Sequence, residues 1–180
     1  MRTFLGAVPL LLLACCAAPQ PALSPVTQLS PPPPPPPAPV SQDWRDWPLT
    51  PGTWVYRADA AGTSAMFGRP GIEADLILRC DLATRTITMS WAGAPAAGGN
   101  EATITTSEGS ASYRGTALAA APGRIGLSLP ANSPFLDKLA FSRGRFIVAP
   151  AGIGALPQAG DRLVIPAWPE PARAIEDCRK

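Results

Sequence analysis

The sequence predicts a mainly β domain, an antiparallel sandwich or small barrel of about seven or eight short strands with two short helices. Three observations lead to this class. Apolar and polar residues alternate over short segments, turn residues separate those segments, and helical periodicity is confined to two places, one of them at the C-terminus. Short strands at this spacing are typical of one antiparallel all-β domain.

Segments with strand patterning cover most of residues 43 to 180. The clearest is EADLILRCDLATRTITMSW, residues 73 to 91, where alternation on both sides of a polar turn predicts a β-hairpin. A second hairpin is predicted around Gly109. The segments with this patterning are 53–57, 63–68, 74–80, 85–91, 102–108, 110–118, 124–130, 144–150 and 161–168.

Two segments have a helical period instead. Asn-Ser-Pro at residues 132 to 134 supplies a cap followed by proline at the first helical position, and an apolar face follows it. EPARAIEDCR, residues 170 to 179, predicts a terminal helix. We expect its inward-facing residues to be Ala172, Ile175 and Cys178. The sequence DWRDW, residues 43 to 47, predicts a short helical turn at the start of the domain.

The first residues predict a lipoprotein signal peptide over residues 1 to 14. Arg2 precedes an apolar run at residues 4 to 14, which is shorter than the roughly 20 residues that span a bilayer. Leu12-Leu13-Ala14-Cys15 resembles a bacterial lipobox, and this resemblance implies that Cys15 is lipidated and that the chain is anchored in a membrane. Because Cys16 rather than aspartate follows, the resemblance favours the outer membrane, facing the periplasm. An ordinary cleaved signal peptide stays open as the alternative.

Residues 15 to 42 are predicted to form a lipid-anchored tether. They contain the proline run Pro31 to Pro37, and proline lacks the amide donor that helix and sheet interiors need. Such a run favours polyproline II, which acts as a semi-rigid spacer. The alternative interpretation is a ligand for an aromatic-lined groove on another protein. The remaining residues, 43 to 180, are then a single globular domain.

Charge and composition exclude several classes of function. The chain has 15 basic and 13 acidic residues, so it lacks the basic character that nucleic-acid binding requires. It contains no histidine, which excludes Ser-His-Asp and Cys-His catalysis and the common zinc sites. We therefore predict no catalytic residue, no metal ligand and no cofactor.

The two remaining cysteines, Cys80 and Cys178, predict a disulfide. An even pair in an exported domain is most simply structural. The closed loop has about 97 residues, and the loop-entropy model assigns about 4.7 kcal/mol to a loop near that size. A redox-active pair is the alternative, although such pairs usually show Cys-X-X-Cys spacing.

Three further groups have both a functional and a structural interpretation. Arg143 and Arg145 supply two guanidinium groups for an anion or a partner protein, or they are solvated arginines of a turn. For Glu176 and Asp177, the functional interpretation is a catalytic acid–base pair, and the structural one is pairing with nearby arginines. For the strand aromatics, the functional interpretation is the lining of a ligand groove, and the structural one is packing in the core. These aromatics are Trp54, Tyr56 and Trp91.

Four segments, TPGTWVYR, FGRPGIEADLILRCD, LAFSRGRFIV and IPAWPEPARAIEDCR, resemble a group of uncharacterised alphaproteobacterial envelope lipoproteins. The similarity covers nearly all of residues 44 to 179, and it implies no transferable activity. The hairpin LILRCDLATRTITMSW is also similar to type VI secretion accessory lipoproteins and to the invasion-associated locus B family, but no site residues carry over.

These observations predict a non-enzymatic envelope lipoprotein that serves as an accessory or adaptor to another envelope protein. A module that binds a small ligand in the periplasm is the alternative. A hydrolase that uses only carboxylates is the third hypothesis. An exposed apolar patch is expected for the adaptor, an apolar pocket with a few polar groups for the ligand module, and converging carboxylates for the hydrolase.

Overall fold

A computed structural model of the chain describes residues 43–93, 100–150 and 162–180. The predicted signal peptide, the lipidation site Cys15 and the proline-rich tether of residues 15 to 42 lie outside these residues. Residues 94–99 and 151–161, which lie between segments with strand patterning, are also outside them.

The described residues form nine strands, two α-helices and one short 3₁₀ turn. In chain order they are the 3₁₀ turn Trp44–Asp46, β1 Thr53–Asp59, β2 Gly62–Gly68, β3 Leu76–Asp81, β4 Thr86–Ala92, β5 Asn100–Thr106, β6 Gly109–Ala117, β7 Arg124–Pro130, α1 Pro134–Ala140, β8 Arg145–Pro150, β9 Leu163–Pro166 and α2 Pro169–Arg179. Each segment with strand patterning overlaps one of these strands, with bounds that differ by a few residues, and the mainly β class with a C-terminal helix is confirmed.

The strands form a single antiparallel sheet that curls into a half-barrel. Their order is β1-β2-β3-β4-β7-β6-β5-β8-β9, so most neighbours are also consecutive along the chain. Two pairings are not consecutive: β4 pairs with β7, and β5 pairs with β8. These two pairings bring the two halves of the chain into one sheet.

One face of the sheet carries the apolar core. Alternate residues of β3 and β4 are buried as the hairpin pattern predicts, for example Leu76, Leu78 and Met89. The helix α2 packs on β1 to β4 and covers this face with Ala174, Ile175, Cys178 and Pro171. No helix in the described residues is long and apolar enough to cross a membrane.

The buried stripe of α2 differs in one position from the prediction. Ile175 and Cys178 face inward as expected, but Ala174 is fully buried, whereas Ala172 is only partly buried. Because α2 begins at Pro169, its buried residues follow the spacing i, i+3, i+4, i+7 from Pro171. Ala172 therefore lies at the border of the apolar face.

A disulfide joins α2 to the sheet. Cys80 in β3 and Cys178 in α2 are bonded, with their Cα atoms 5.6 Å apart, and neither side chain is exposed to solvent. The bond closes a loop with a sequence separation of 98. The predicted disulfide is thus present, and it indicates an oxidising environment outside the cytoplasm.

The segment before β1 crosses the outer edge of β9 in an arrangement that we call the N-terminal clamp, formed by Trp47, Thr50, Arg145, Arg162 and Val164. The Thr50 amide donates to the Val164 carbonyl, and the Val164 amide donates to Thr50 Oγ1, each at 2.9 Å. The Arg162 guanidinium stacks 3.6 Å from the centre of the Trp47 ring, and Arg145 donates to the Trp47 carbonyl. The clamp uses backbone groups of an edge strand that would otherwise be available for pairing with another chain.

The β1–β2 turn is held by a charged pair. Asp59 accepts two hydrogen bonds from Arg79, each at 2.8 Å, and also accepts from the amides of Ala61 and Gly62. The hydrogen bonds from Arg79 are the largest influence, and they lower the pKa of Asp59 from 3.8 to about 2. The charged form of Asp59 is therefore favoured by folding.

Removing the disulfide with C80A/C178A should lower the free energy of unfolding by about 2–5 kcal/mol, because the unfolded chain regains the entropy that the closed loop removes. Urea denaturation of the oxidised wild type and of the double variant measures this difference. The wild type in reductant should match the double variant, and reductant should not change the variant. Equal stability of oxidised and reduced wild type would contradict the prediction.

The Asp59 carboxyl should titrate near pH 2 in the native protein, and R79Q should move this midpoint towards 3.8. Because the native pKa lies below the unfolded value, Asp59 stabilises the fold above about pH 4, and this contribution disappears as the pH falls towards about 2. NMR titration of the carboxyl carbon measures the midpoint. D59N is the control, since it should remove this part of the pH dependence of unfolding; an unchanged midpoint in R79Q would refute the role of Arg79.

Candidate functional site

Two concave surfaces of the described residues are candidates for a site. The first, which we call the end cavity, has a volume of about 230 Å³ and is lined by Asp75, Trp91, Ala92, Val148, Pro150, Arg162 and Leu163. The second, which we call the C-terminal groove, has a volume of about 460 Å³ and is lined by Thr84, Arg85, Pro130, Ala131, Asn132, Cys178, Arg179 and Lys180.

The end cavity exists because the sheet curls. Trp91 and Ala92 end β4, whereas Val148 and Leu163 are paired neighbours in β8 and β9. Three strands separate β4 from β8 in the sheet, so these residues line a common cavity only across the inside of the half-barrel. Its walls are apolar, apart from the side chains of Asp75 and Arg162.

A buried arginine holds the β3 and β4 side of this cavity in place. Arg124, at the start of β7, is 4% exposed and donates at 2.7 Å to each of the carbonyls of Ala74 and Ser90. These carbonyls belong to the residues immediately before Asp75 and Trp91. Arg124 also donates to Ser90 Oγ at 3.2 Å and to Glu73 at 3.1 Å. Arg124 is therefore a positioning residue for two walls of the cavity.

Trp91 forms the aromatic wall, and its ring packs tightly. It is 3% exposed, and Gly115 of β6 lies beneath it. A Cβ atom at position 115 would lie 3.3 Å from the Trp91 ring and 2.6 Å from Ile125 Cγ2, so the close approach requires glycine. Of the three aromatics predicted to line a groove or pack in the core, Trp91 does both, while Trp54 packs in the core.

The two charged groups of the end cavity have different surroundings. The guanidinium of Arg162 lies over the Trp47 ring as part of the N-terminal clamp. Asp75 is partly buried, and among the described residues its carboxylate has no ion pair and no side-chain hydrogen bond. Asp75 thus places a carboxylate beside apolar walls, in a cavity that Arg162 also lines. Sequence reasoning did not single out Asp75 or Arg162, because neither belongs to a recognisable motif.

The C-terminal groove carries basic groups whose charges are largely used within the protein. Arg179 pairs with Asp137 at 2.8 Å and with Glu176 at 3.0 Å, and its Nε donates to the Ala131 carbonyl. Lys180 pairs with Asp177. Arg85 donates to the Cys178 carbonyl at 3.1 Å and closes the groove over the disulfide. This arrangement fixes the end of α2 and leaves little net charge for a ligand.

The arginines predicted for an anion or a partner contact different parts of the chain. Arg143 is highly exposed and lies 3.6 Å from Glu108, beside the β5–β6 turn. Arg145 donates to the Trp47 carbonyl in the N-terminal clamp. Gly144, with φ of 74°, turns the backbone between them. Recognition of an anion by this pair stays a prediction, and the structure shows that Arg145 also has a structural contact.

Glu176 and Asp177 each pair with basic side chains. Asp177 accepts from the Tyr56 hydroxyl at 2.6 Å, and it lies 3.8 Å from Arg173 and pairs with Lys180. The hydrogen bonds from Lys180 and then from Tyr56 lower the pKa of Asp177, while the bond to Asp177 raises the pKa of Tyr56. These contacts tie α2 to β1.

The described residues of the two cavities do not form the arrangement expected for a carboxylate hydrolase. Of these residues, one carboxylate, Asp75, lines the end cavity and none lines the C-terminal groove. Within the described ranges, no group of three or more cysteine, aspartate or glutamate side chains is placed to hold a metal ion. The described residues of the end cavity can supply recognition, through a carboxylate, a guanidinium and apolar side chains.

No protein-family model matches the chain, and neither curated proteins nor solved structures show a significant similarity to it. The resemblance to envelope lipoproteins therefore stays a prediction.

Replacing Arg124 with methionine should lower the free energy of unfolding by about 2–4 kcal/mol, because two buried carbonyls lose their donor. Urea denaturation measures the loss. E73Q is the matched control: Glu73 is 74% exposed, so the ion pair itself should contribute less than about 1 kcal/mol. Equal effects of R124M and E73Q would show that the ion pair, and not the carbonyl contacts, carries the stability.

Proposed function

We propose that the protein is a non-enzymatic envelope lipoprotein, in which a disulfide-bonded β domain is held off a membrane by a proline-rich tether and serves as an accessory to another envelope protein. The observation that carries this proposal is the Cys80–Cys178 disulfide, since a bond of this kind persists in exported proteins. The lipobox-like sequence before Cys15 and the proline run Pro31 to Pro37 supply the anchor and the spacer.

The N-terminal clamp supports the tethered arrangement. Trp47 and Thr50, which follow the predicted tether, are fixed to the domain by a cation–π stack with Arg162 and by two hydrogen bonds to Val164 of β9. The segment between Trp47 and β1 is therefore held against the sheet.

Changing Cys15 to alanine should release the protein from the membrane fraction, because the acyl chains are attached to that cysteine. C16A is the matched control and should leave the protein in the membrane fraction. Fractionation of cells followed by intact-mass measurement tests both variants. Membrane retention of C15A, together with an unmodified mass for the wild type, would refute the anchor.

The accessory role predicts a protein partner in the envelope. Cross-linking of intact cells that carry a C-terminally tagged chain, followed by mass spectrometry, should recover one dominant envelope protein. Its recovery should fall in C15A and stay unchanged in C16A, because only the first variant loses the anchor. The absence of a reproducible partner would contradict the accessory role while leaving the anchor intact.

The end cavity favours a second candidate function, a module that binds a small ligand in the periplasm. It combines apolar walls with two charged groups, as small-molecule sites commonly do. By comparison, the exposed large apolar residues of the described chain come from separate segments, and only Val55 lies in a strand. They are Leu49, Val55, Ile72, Phe141 and Trp168.

A further inference from the structure

We propose that the end cavity binds a small organic ammonium ion with a short apolar body. This inference rests on the second candidate function, the ligand module, and it is independent of the lipid anchor. It follows from the carboxylate of Asp75, from the apolar side chains that line the cavity with it, and from the cavity's size.

The charge of the ligand follows from Asp75. A carboxylate that is partly withdrawn from water loses solvation, and in folded proteins such groups are usually paired. Among the described residues Asp75 has no cationic partner, although Arg162 lines the same cavity. The Arg162 guanidinium stacks on Trp47 and belongs to the N-terminal clamp. An ammonium group beside Asp75 would supply a cationic partner for this carboxylate.

The apolar side chains of the cavity indicate that the rest of the ligand is apolar. Trp91 lines the cavity although it is almost fully buried, and Val148, Pro150 and Leu163 supply aliphatic surface. The aliphatic wall favours removal of hydrocarbon from water. The cavity therefore offers both a charge contact and an apolar contact to the same small molecule.

The size of the ligand follows from the volume. At about 230 Å³ the cavity is smaller than the roughly 300–1,000 Å³ typical of sites for drug-sized molecules. It suits a body of about one ring or a short alkyl chain. Arg124 fixes the backbone on either side of the Asp75 and Trp91 walls, so those parts of the site are held in place before a ligand arrives.

The test uses two probes with the same body and opposite charge, phenethylammonium and 3-phenylpropionate. Each is titrated at neutral pH into the full chain in a non-ionic detergent and followed by NMR through the indole N–H signal of Trp91, which is assigned by its absence in W91F. Phenethylammonium should shift this signal with saturation in the millimolar range, and 3-phenylpropionate should not.

Two variants test the role of the carboxylate. D75N should weaken phenethylammonium binding at least tenfold, because it keeps the size of the side chain and removes its charge. E176Q is the matched control on α2 and should bind like the wild type. The thermal midpoint of each variant confirms that it is folded, and the comparison of the two probes on the wild type does not depend on the Asp75 variant.

The outcomes separate the ligand class from the site. Equal binding of both probes, or binding that D75N leaves unchanged, would refute the ammonium class while keeping a ligand site. No binding of either probe at 10 mM, roughly the weakest affinity of interest for so small a ligand, would refute the cavity as a ligand site. Selective binding of phenethylammonium that depends on Asp75 would support the proposal.

Discussion

The inner face of the curled sheet has to be buried, and the rest of the domain depends on how α2 buries it. A half-barrel leaves its apolar face open to water unless another element covers it. The helix does so through a stripe that includes Ala174 and Ile175, and several contacts fix it. They include the disulfide to Cys80, the hydrogen bond of the Thr63 hydroxyl to the Ala174 carbonyl, and the hydrogen bond of Tyr56 to Asp177.

The same curvature that creates the need for α2 also creates the end cavity. Residues at the end of β4 and in β8 and β9 are distant in the sheet, yet they line one space. Arg124 sets the backbone of the first wall, and the strand pairing of Val148 with Leu163 sets the second. Such a cavity requires the whole curled sheet, because no single hairpin contains both of its walls.

The local elements could be predicted from the sequence, while their assembly could not. Alternation marks β3 and β4 because one face of each is buried, and the even count of cysteines in the domain predicts the bond between Cys80 and Cys178. The β4–β7 and β5–β8 pairings join strands that no turn connects, so no local pattern encodes them. Asp75 could not be singled out for the same reason, because the residues of β8 and β9 that line a cavity with it are far away in sequence.

The N-terminal clamp has a mechanical consequence. A force that pulls on the chain at residue 43 acts first on the Trp47–Arg162 stack and then on the two hydrogen bonds between Thr50 and Val164. Only after these contacts break does the force reach β1 and its ladder with β2. The contacts of the clamp would therefore break before the sheet does. Their rupture would lengthen the chain by a few residues, while the strands of the sheet keep their register.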